Sequence, residues 1–126
     1  MPIRIPKADP AVVRLFDSLV PASPTVTRRL MFGQPAAFAN GHLFFGVFGT
    51  RLFVRLSAAD VITATSREGF GPFEPMPGRV MGGYALLPLS VLEDRARTRR
   101  WVARALEHAS GLPPKSGRKK VRASTA

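Results

Sequence analysis

Arginine is the residue type whose spacing in this chain best supports binding chemistry. Nineteen Lys and Arg residues oppose eight Asp and Glu residues, which gives a formal net charge of +11. Such a surface attracts polyanions. Alternation places Arg51 and Arg55 on one side of a predicted strand, and Arg28 and Arg29 begin the same sheet. These four residues are candidates to hold an anionic ligand or a nucleic-acid phosphate, and a solvated, partly salt-bridged sheet surface is the alternative.

Two further groups of basic residues are candidate nucleic-acid contacts. Arg97, Arg100 and Arg104 lie on one side of a predicted C-terminal helix. Residues 111–126 hold five basic residues and no acidic one, so +6 of the +11 remains on residues 1–110. The tail is expected to bind phosphates without sequence readout, or to act only as a solubilising segment, through Lys115, Arg118, Lys119, Lys120 and Arg122.

The residue types needed for metal binding or catalysis are sparse. There is no cysteine, and the two histidines, His42 and His108, are far apart in the sequence. We expect both to be surface residues, and we predict neither a metal site nor a cofactor. No nucleophile motif is present, so no catalytic residue is assigned and no enzymatic activity is predicted. A small-ligand or enzyme site near residues 31–33 and Arg55 is the remaining alternative.

The elements that position these residues form an α+β domain, with a mainly antiparallel sheet packed by N-terminal, middle and C-terminal helices. We predict a lead-in over residues 1–9, one domain over 10–112 and a basic flexible tail over 113–126. Asp9-Pro10 begins the first helix, since Asp caps free N–H groups and Pro suits the first helical position. Its apolar stripe is Val12, Leu15, Phe16, Leu19 and Val20.

A three-stranded antiparallel meander is predicted over residues 28–56. Asn40-Gly41 favours a hairpin turn, and a second reversal follows at Gly49. Leu43, Phe45 and Val47 are expected on one side of the central strand, opposite Phe44, Gly46 and Phe48, with both sides covered. Gly33 and Pro35 indicate a bulge or bend in the first strand, and Met31-Phe32-Gly33 either packs in the core or lines a pocket.

Helices and short strands complete the prediction. Ser57 caps a helix that ends near Gly69 and buries Val61, Ile62 and Thr65. Residues 70–76 form an edge strand or an ordered loop. A last strand holds Tyr84 and Leu86, and whether it extends to Leu89 is left open. Ser90 caps a helix over residues 91–110, on which Glu93 pairs with Arg97 and the buried stripe is Thr98, Trp101, Val102, Ala105, Leu106 and Ala109.

The ordered motifs resemble the N-terminal domain of the TfoX/Sxy competence-regulator family. They are RLMFG at residues 29–33, the Asn40-Gly41 turn, LFF at 43–45 and RLFVR at 51–55. Phe53 and Arg55 take the places of a tyrosine and a lysine in the family's Leu-Tyr-Leu-Lys-like strand. The strand at Gly83-Tyr84 and the helix with Trp101 match the family's second half. The resemblance spans roughly residues 10–110.

The resemblance implies a small α+β regulatory domain that acts through protein contacts. Two-domain members carry a helical C-terminal domain, whereas we expect a stand-alone N-terminal domain here. An unidentified protein is therefore the expected partner, with nucleic acid and a second copy of the chain as alternatives. No apolar run approaches the roughly 18 residues that span a bilayer, so no membrane partner is expected. The absence of cysteine fits a cytoplasmic location.

Overall fold

The computed structural model of the chain describes residues 7–113 and confirms the α+β class. The elements of this range, in chain order, are α1 (Pro10–Leu19), β1 (Val26–Met31), β2 (Gln34–Ala39), β3 (His42–Phe48), β4 (Arg51–Arg55), α2 (Ala58–Glu68), β5 (Gly71–Pro72), β6 (Tyr84–Leu86), α3 (Leu89–Leu92) and α4 (Arg95–Ser110). The six strands form one antiparallel sheet in the order β1-β2-β3-β4-β6-β5. Within the described part of the chain, no helix combines the length and apolarity that a membrane crossing requires.

The first helix begins where the sequence predicts. The Asp9 carboxylate accepts a hydrogen bond of 2.8 Å from the Ala11 N–H, and Pro10 occupies the first helical position. The Asp9 N–H donates to the Gly49 carbonyl oxygen at 3.0 Å. This bond fixes the start of α1 against the turn between β3 and β4.

The three-strand prediction for residues 28–56 is wrong, because this stretch takes part in four strands. Phe32 and Gly33, with φ angles of 56° and 74°, form a two-residue turn between β1 and β2. The predicted bulge or bend at residues 33–35 is therefore a full reversal of the chain. Phenylalanine rarely adopts the left-handed region, so the Phe32-Gly33 pair does not indicate a two-residue hairpin turn in the sequence. The Asn40-Gly41 turn is confirmed, with φ angles of 52° and 86°.

A β-bulge lies instead between β2 and β3. Ala37 pairs with Phe45 while Phe38 pairs with Leu43, which leaves Phe44 as the extra residue. Leu43 consequently points to one side of the sheet, and Phe44, Phe45 and Val47 all pack on the other. The predicted alternation of β3 is wrong at its start for this reason.

The sheet separates two apolar clusters, and the prediction that β3 is covered on both sides is confirmed. All four helices contribute to the larger cluster, through residues such as Phe16, Ala64, Val91 and Trp101. The smaller cluster lies on the opposite side and is built around Ala36, Leu43, Phe53 and Phe73. The Phe73 ring stacks on Phe53 with centroids 4.2 Å apart. A loop rather than a helix therefore covers this second side.

The second helix has the predicted ends but a different buried side. The Ser57 hydroxyl accepts from the Asp60 N–H at 3.2 Å, and Gly69 closes the helix with φ 77°. Ile62 is 67% exposed, and Thr65 is exposed too, so their predicted burial is wrong. The helix contacts the sheet along β6, near the sheet's rim, and the buried residue there is Ala64.

The C-terminal helix is divided, contrary to prediction. Leu89 starts the single turn α3 instead of extending β6, and Asp94 rather than Ser90 caps α4, accepting from the Arg97 N–H at 3.1 Å. Glu93 therefore lies outside α4, and Arg97 pairs with Glu68 instead. The buried stripe of α4 is confirmed except for Leu106, which is half-buried. The edge position of the segment after Phe70 is confirmed by β5.

Candidate anion-binding face

The sheet side opposite the helices carries three arginines. Strand register aligns Arg29 with Ala36, Gly46 and Phe53, and Arg51 and Arg55 flank Phe53 on β4. Arg28 projects to the helical side, where its Nε donates to Asp17 Oδ1 at 2.8 Å. The structure thus brings Arg29, Arg51 and Arg55 to one side and places Arg28 on the other.

Two of these guanidinium groups lie over aromatic rings. The Arg29 Cζ is 4.5 Å from the Phe38 ring centroid, and the Arg55 Cζ is 5.7 Å from that of Tyr84. Both rings are half-buried. Cation–π attraction therefore restrains both side chains at the surface. We call Arg29, Phe38, Arg51, Arg55 and Tyr84 the arginine–aromatic face.

Tyr84 is fixed by its partners across the sheet. Its backbone pairs with Arg55, and its hydroxyl donates to the Leu43 carbonyl oxygen at 3.1 Å. Burial raises the pKa of the Tyr84 phenol above its usual 10.0, and the Arg55 charge opposes that rise. The phenol accordingly supports the face as a neutral hydrogen-bond donor.

The spacing of the arginines indicates the size of the ligand. Arg51 and Arg55 are four residues apart on one strand, so their Cα atoms are separated by about 13 Å at ~3.3 Å per residue. Arg29 lies three strand spacings from the Phe53 position, roughly 14 Å across the sheet. A single carboxylate or phosphate group is too small to contact all three. The arrangement suits an extended, multiply charged ligand.

Carboxylates within residues 7–113 are mostly engaged elsewhere. Six of the eight cap a helix, pair with another arginine or accept a loop N–H, namely Asp9, Asp17, Asp60, Glu68, Glu74 and Asp94. The three ion pairs in this part of the chain use Arg28, Arg97 and Arg104. Arg29, Arg51 and Arg55 consequently have no carboxylate partner among the described residues.

The predicted arginine stripe on α4 is largely tied to α2. Arg97 Nη2 lies 2.5 Å from Glu68 Oε1, and Arg104 Nη2 lies 2.7 Å from Asp60 Oδ1. The hydrogen bond from Arg97 lowers the pKa of Glu68, and Asp60 raises the pKa of Arg104. Arg100 is exposed and lines a groove of about 290 Å³ beside Trp101. These ion pairs reduce the positive charge that this helix offers to a polyanion.

Residues 31–33 form the hairpin turn between β1 and β2. The Phe32 ring meets Phe48 edge-on, with centroids 6.0 Å apart, and Met31 packs against the smaller cluster. Two further grooves, of about 460 and 240 Å³, lie between α1 and α4 and beside α2, respectively. Neither is lined by Met31, Phe32 or Gly33. The predicted tail contacts, Lys115, Arg118, Lys119, Lys120 and Arg122, lie outside the described residues.

Sequence reasoning missed the aromatic half of the face. Tyr84 is predicted only as a strand residue, and Phe38 falls within the predicted meander without a role of its own. Their pairing with Arg55 and Arg29 depends on the register between strands. Gln34 was missed as well. It is 2% exposed, and its Oε1 accepts from the Gly49 N–H at 2.8 Å, which ties the 32–33 turn to the β3–β4 turn. The sequence carried no local pattern for that contact.

Comparison with known proteins identifies the family. The family model of the TfoX N-terminal domain matches residues 17–109. This range includes all six strands, α2, α3, the last turn of α1 and all of α4 but its final residue. No curated protein matches the chain. Because the match covers most of the 126 residues, the chain belongs to the TfoX N-terminal domain family.

Proposed function

We propose that this chain is a non-enzymatic regulatory domain that binds an acidic segment of another protein on the arginine–aromatic face. The observation that carries the proposal is the pair of guanidinium groups lying on Phe38 and Tyr84 without a carboxylate partner in residues 7–113. A restrained guanidinium loses less entropy when it binds a carboxylate, and its donors match the two carboxylate oxygens.

The placement of the titratable groups supports binding rather than catalysis. Most carboxylates have structural partners, as described above. The His42 Nε2 lies 2.6 Å from the Pro113 carbonyl oxygen and joins the β2–β3 turn to the end of α4. Within the described range, no three His, Asp or Glu side chains cluster as metal ligands. General acid–base chemistry needs a free titratable group beside a substrate site, and the face offers only arginines and a phenol.

A protein ligand fits this face better than a nucleic acid does. Single-stranded nucleic acid gains affinity by stacking bases on aromatic side chains. Here Arg29 and Arg55 cover the rings of Phe38 and Tyr84. Charge pairing, rather than base stacking, is the interaction that remains available to a ligand.

The family membership suggests the biological setting. The competence regulators that this family resembles act in the transcriptional control of DNA uptake. We propose a related regulatory role for this domain, in the cytoplasm. Under this proposal, the acidic partner belongs to the transcriptional apparatus or to its regulators.

Comparative capture tests the proposal. The full chain, immobilised, is exposed to nuclease-treated extract of the source organism. We compare the triple variant R29Q/R51Q/R55Q with a control of equal charge change, R14Q/R67Q/R79Q, which alters exposed arginines elsewhere. Proteins retained by the wild type and the control, but lost from the face variant, support the proposal. Equal loss from both variants, or loss from neither, contradicts it.

Nucleic-acid binding is the second candidate function. Arg95, Arg99 and Arg100 on α4 are exposed, and none of them takes part in the ion pairs found within residues 7–113. Together with the basic tail they offer sequence-independent phosphate contacts. A salt titration of DNA and RNA binding tests this candidate, because the affinity for a single strand falls with a log–log slope of about −0.7 per phosphate contact. No binding at low salt would eliminate it.

A further inference from the structure

Among residues 7–113, strand β1 is an edge strand whose outer side pairs with no other strand. Its one partner in this range is β2, and its four central residues, 27–30, are all exposed, Leu30 at 66%. The opposite edge is a two-residue strand that contains Pro72. Short edge strands and proline both discourage pairing. Only β1 therefore offers a full-length edge among the described strands.

The hairpin geometry shows which backbone groups point outward. Met31 and Gln34 close a two-residue turn, so this pair exchanges both backbone hydrogen bonds. Every second pair along the hairpin does the same, and the pairs between them form no hydrogen bonds with each other. In agreement, the Thr25 carbonyl oxygen accepts from the Asn40 N–H at 3.1 Å, on the β2 side. The backbone groups of Val26, Arg28 and Leu30 consequently point away from the sheet. The Val26 N–H donates to the Ser23 carbonyl oxygen at 3.0 Å, whereas the outward N–H groups of Arg28 and Leu30 have no acceptor within residues 7–113.

The side chains along the edge select an acidic occupant. Arg29 projects on the side of the arginine–aromatic face, whereas Arg28 is already paired with Asp17 on the other side. An added strand presents one residue directly opposite Arg29, and a carboxylate there gains a charge pair. A carboxylate opposite Arg28 would instead approach Asp17.

A second copy of the chain is a poor occupant. In an antiparallel pair about a two-fold axis, directly opposite side chains lie on the same side of the sheet. Odd-numbered residues therefore face odd-numbered residues of the other copy, and even-numbered residues face even-numbered ones. The two registers that pair most of β1 place Arg28 against Arg28 of the other copy, or Arg29 against Arg29. Like charges directly opposite destabilise a sheet pair, and charged side chains on an edge are a recognised protection against self-association.

We propose that β1 binds its partner by strand addition, with an extended acidic segment hydrogen-bonded to Arg28 and Leu30 and a carboxylate opposite Arg29. This inference rests on the proposed function, since it specifies how the part of the acidic partner that contacts Arg29, at the β1 end of the arginine–aromatic face, is held. Main-chain bonds supply affinity in such complexes, and alternate side chains supply specificity.

The test uses the full chain and a fluorescent six-residue probe, Thr-Ile-Glu-Thr-Thr-Val, blocked at both ends. In antiparallel register its Glu lies opposite Arg29 and its second and fourth residues bond to Leu30 and Arg28. N-methylation at positions 2 and 4 removes the bonding N–H groups, while N-methylation at positions 3 and 5 is the matched control. Fluorescence anisotropy measures the affinity of each probe.

Methylation at positions 2 and 4 is expected to weaken binding roughly ten- to hundredfold more than the control, because two hydrogen bonds are lost. Replacing Glu by Lys in the probe is expected to weaken binding further. Equal binding of the two methylated probes, no preference for Glu over Lys, or no binding of the parent probe overturns the inference.

Variants of the protein provide the second arm. L30P removes an outward N–H on a largely exposed residue, and L30V keeps that N–H. Loss of the probe and of the captured proteins with L30P alone supports strand addition. Capture that survives L30P but is lost in R29Q/R51Q/R55Q retains the proposed function and overturns this inference. A dimer in sedimentation that L30P dissociates also overturns it, since a second copy would then occupy the edge.

Discussion

The Arg55 guanidinium lies over the ring of Tyr84, with its Cζ 5.7 Å from the ring centroid, and the two residues are direct partners across β4 and β6. The contact joins a surface cation to a phenol whose hydroxyl is bonded to the Leu43 carbonyl oxygen. It restrains one end of the arginine–aromatic face, as the Arg29–Phe38 contact restrains the other.

Removing this cation should raise the pKa of Tyr84. Arg55 stabilises the phenolate and so lowers the pKa, while burial raises it. R55Q is expected to shift the phenolate absorbance titration to higher pH. Tyr84 is the chain's only tyrosine, so the signal has one source. R28Q, on the opposite side of the sheet, is the control and should leave the titration unchanged. An unchanged titration in R55Q would refute the contact.

Gly46 should be intolerant of a side chain. A Cβ at this position would lie 2.6 Å from Phe53 Cζ and 3.2 Å from the Ala36 Cβ. Because the Phe53 ring is stacked on Phe73, it has little room to move. G46A is expected to lower the free energy of unfolding by about 1–3 kcal/mol, as overpacked cores do. Urea denaturation measures the loss. In G82A the added Cβ meets no atom within 4 Å, and a similar loss there would contradict the packing argument.

The turn at residues 32–33 should depend on glycine for conformation rather than for space. Gly33 has φ 74°, and a Cβ there would meet no atom within 4 Å. G33A is expected to cost about 1–2 kcal/mol through left-handed strain alone. G111A is the matched control, since Gly111 has φ −82° in the right-handed region. Equal stabilities of the two variants, measured by urea denaturation, would show that the turn is misassigned.

The Glu68–Arg97 pair should make stability depend on pH. The hydrogen bond from Arg97 lowers the pKa of Glu68 below its usual 4.5 in the folded state. A carboxyl group whose pKa is lowered by folding stabilises the protein above its unfolded pKa, and that contribution is lost as the pH falls through the folded pKa. The wild type should therefore exceed E68Q in stability near neutral pH, with a difference that shrinks below about pH 4.5.

Urea denaturation of the wild type and E68Q from pH 3 to 7 checks this expectation. E93Q is the control, because Glu93 is exposed and lies outside α4. A difference between the wild type and E68Q that stays constant across this range would mean that the ion pair does not contribute.

Local chemistry explains which parts of the fold the sequence predicted. Asp9, Ser57 and Gly69 act through hydrogen bonds or backbone preferences within a few residues, so their roles were evident from type and position. The Asn40-Gly41 turn and the alternation along β4 are equally local. The Phe32–Gly33 turn was missed because the strain of Phe32 is tolerated through its contact with Phe48, which the sequence does not encode nearby.

The remaining errors arise from tertiary contacts. The bulge at Phe44 depends on how two strands align, and the exposure of Ile62 depends on α2 lying near the sheet's rim. The same limit applies to the candidate face. Arg51 and Arg55 could be grouped from one strand, but separating Arg28 from Arg29 and placing Arg29 beside Phe38 required the register of β1 with β2.

The most direct test of the acidic-partner account is to observe the arginine side chains themselves. The ¹⁵N-labelled full chain is titrated with soluble poly-L-glutamate while the arginine Nε–H signals are followed by NMR. If an acidic segment binds the arginine–aromatic face, the signals of Arg29, Arg51 and Arg55 shift at lower poly-L-glutamate concentrations than those of Arg95, Arg99 and Arg100. Earlier shifts on α4, or a simultaneous shift of all arginines, would contradict it.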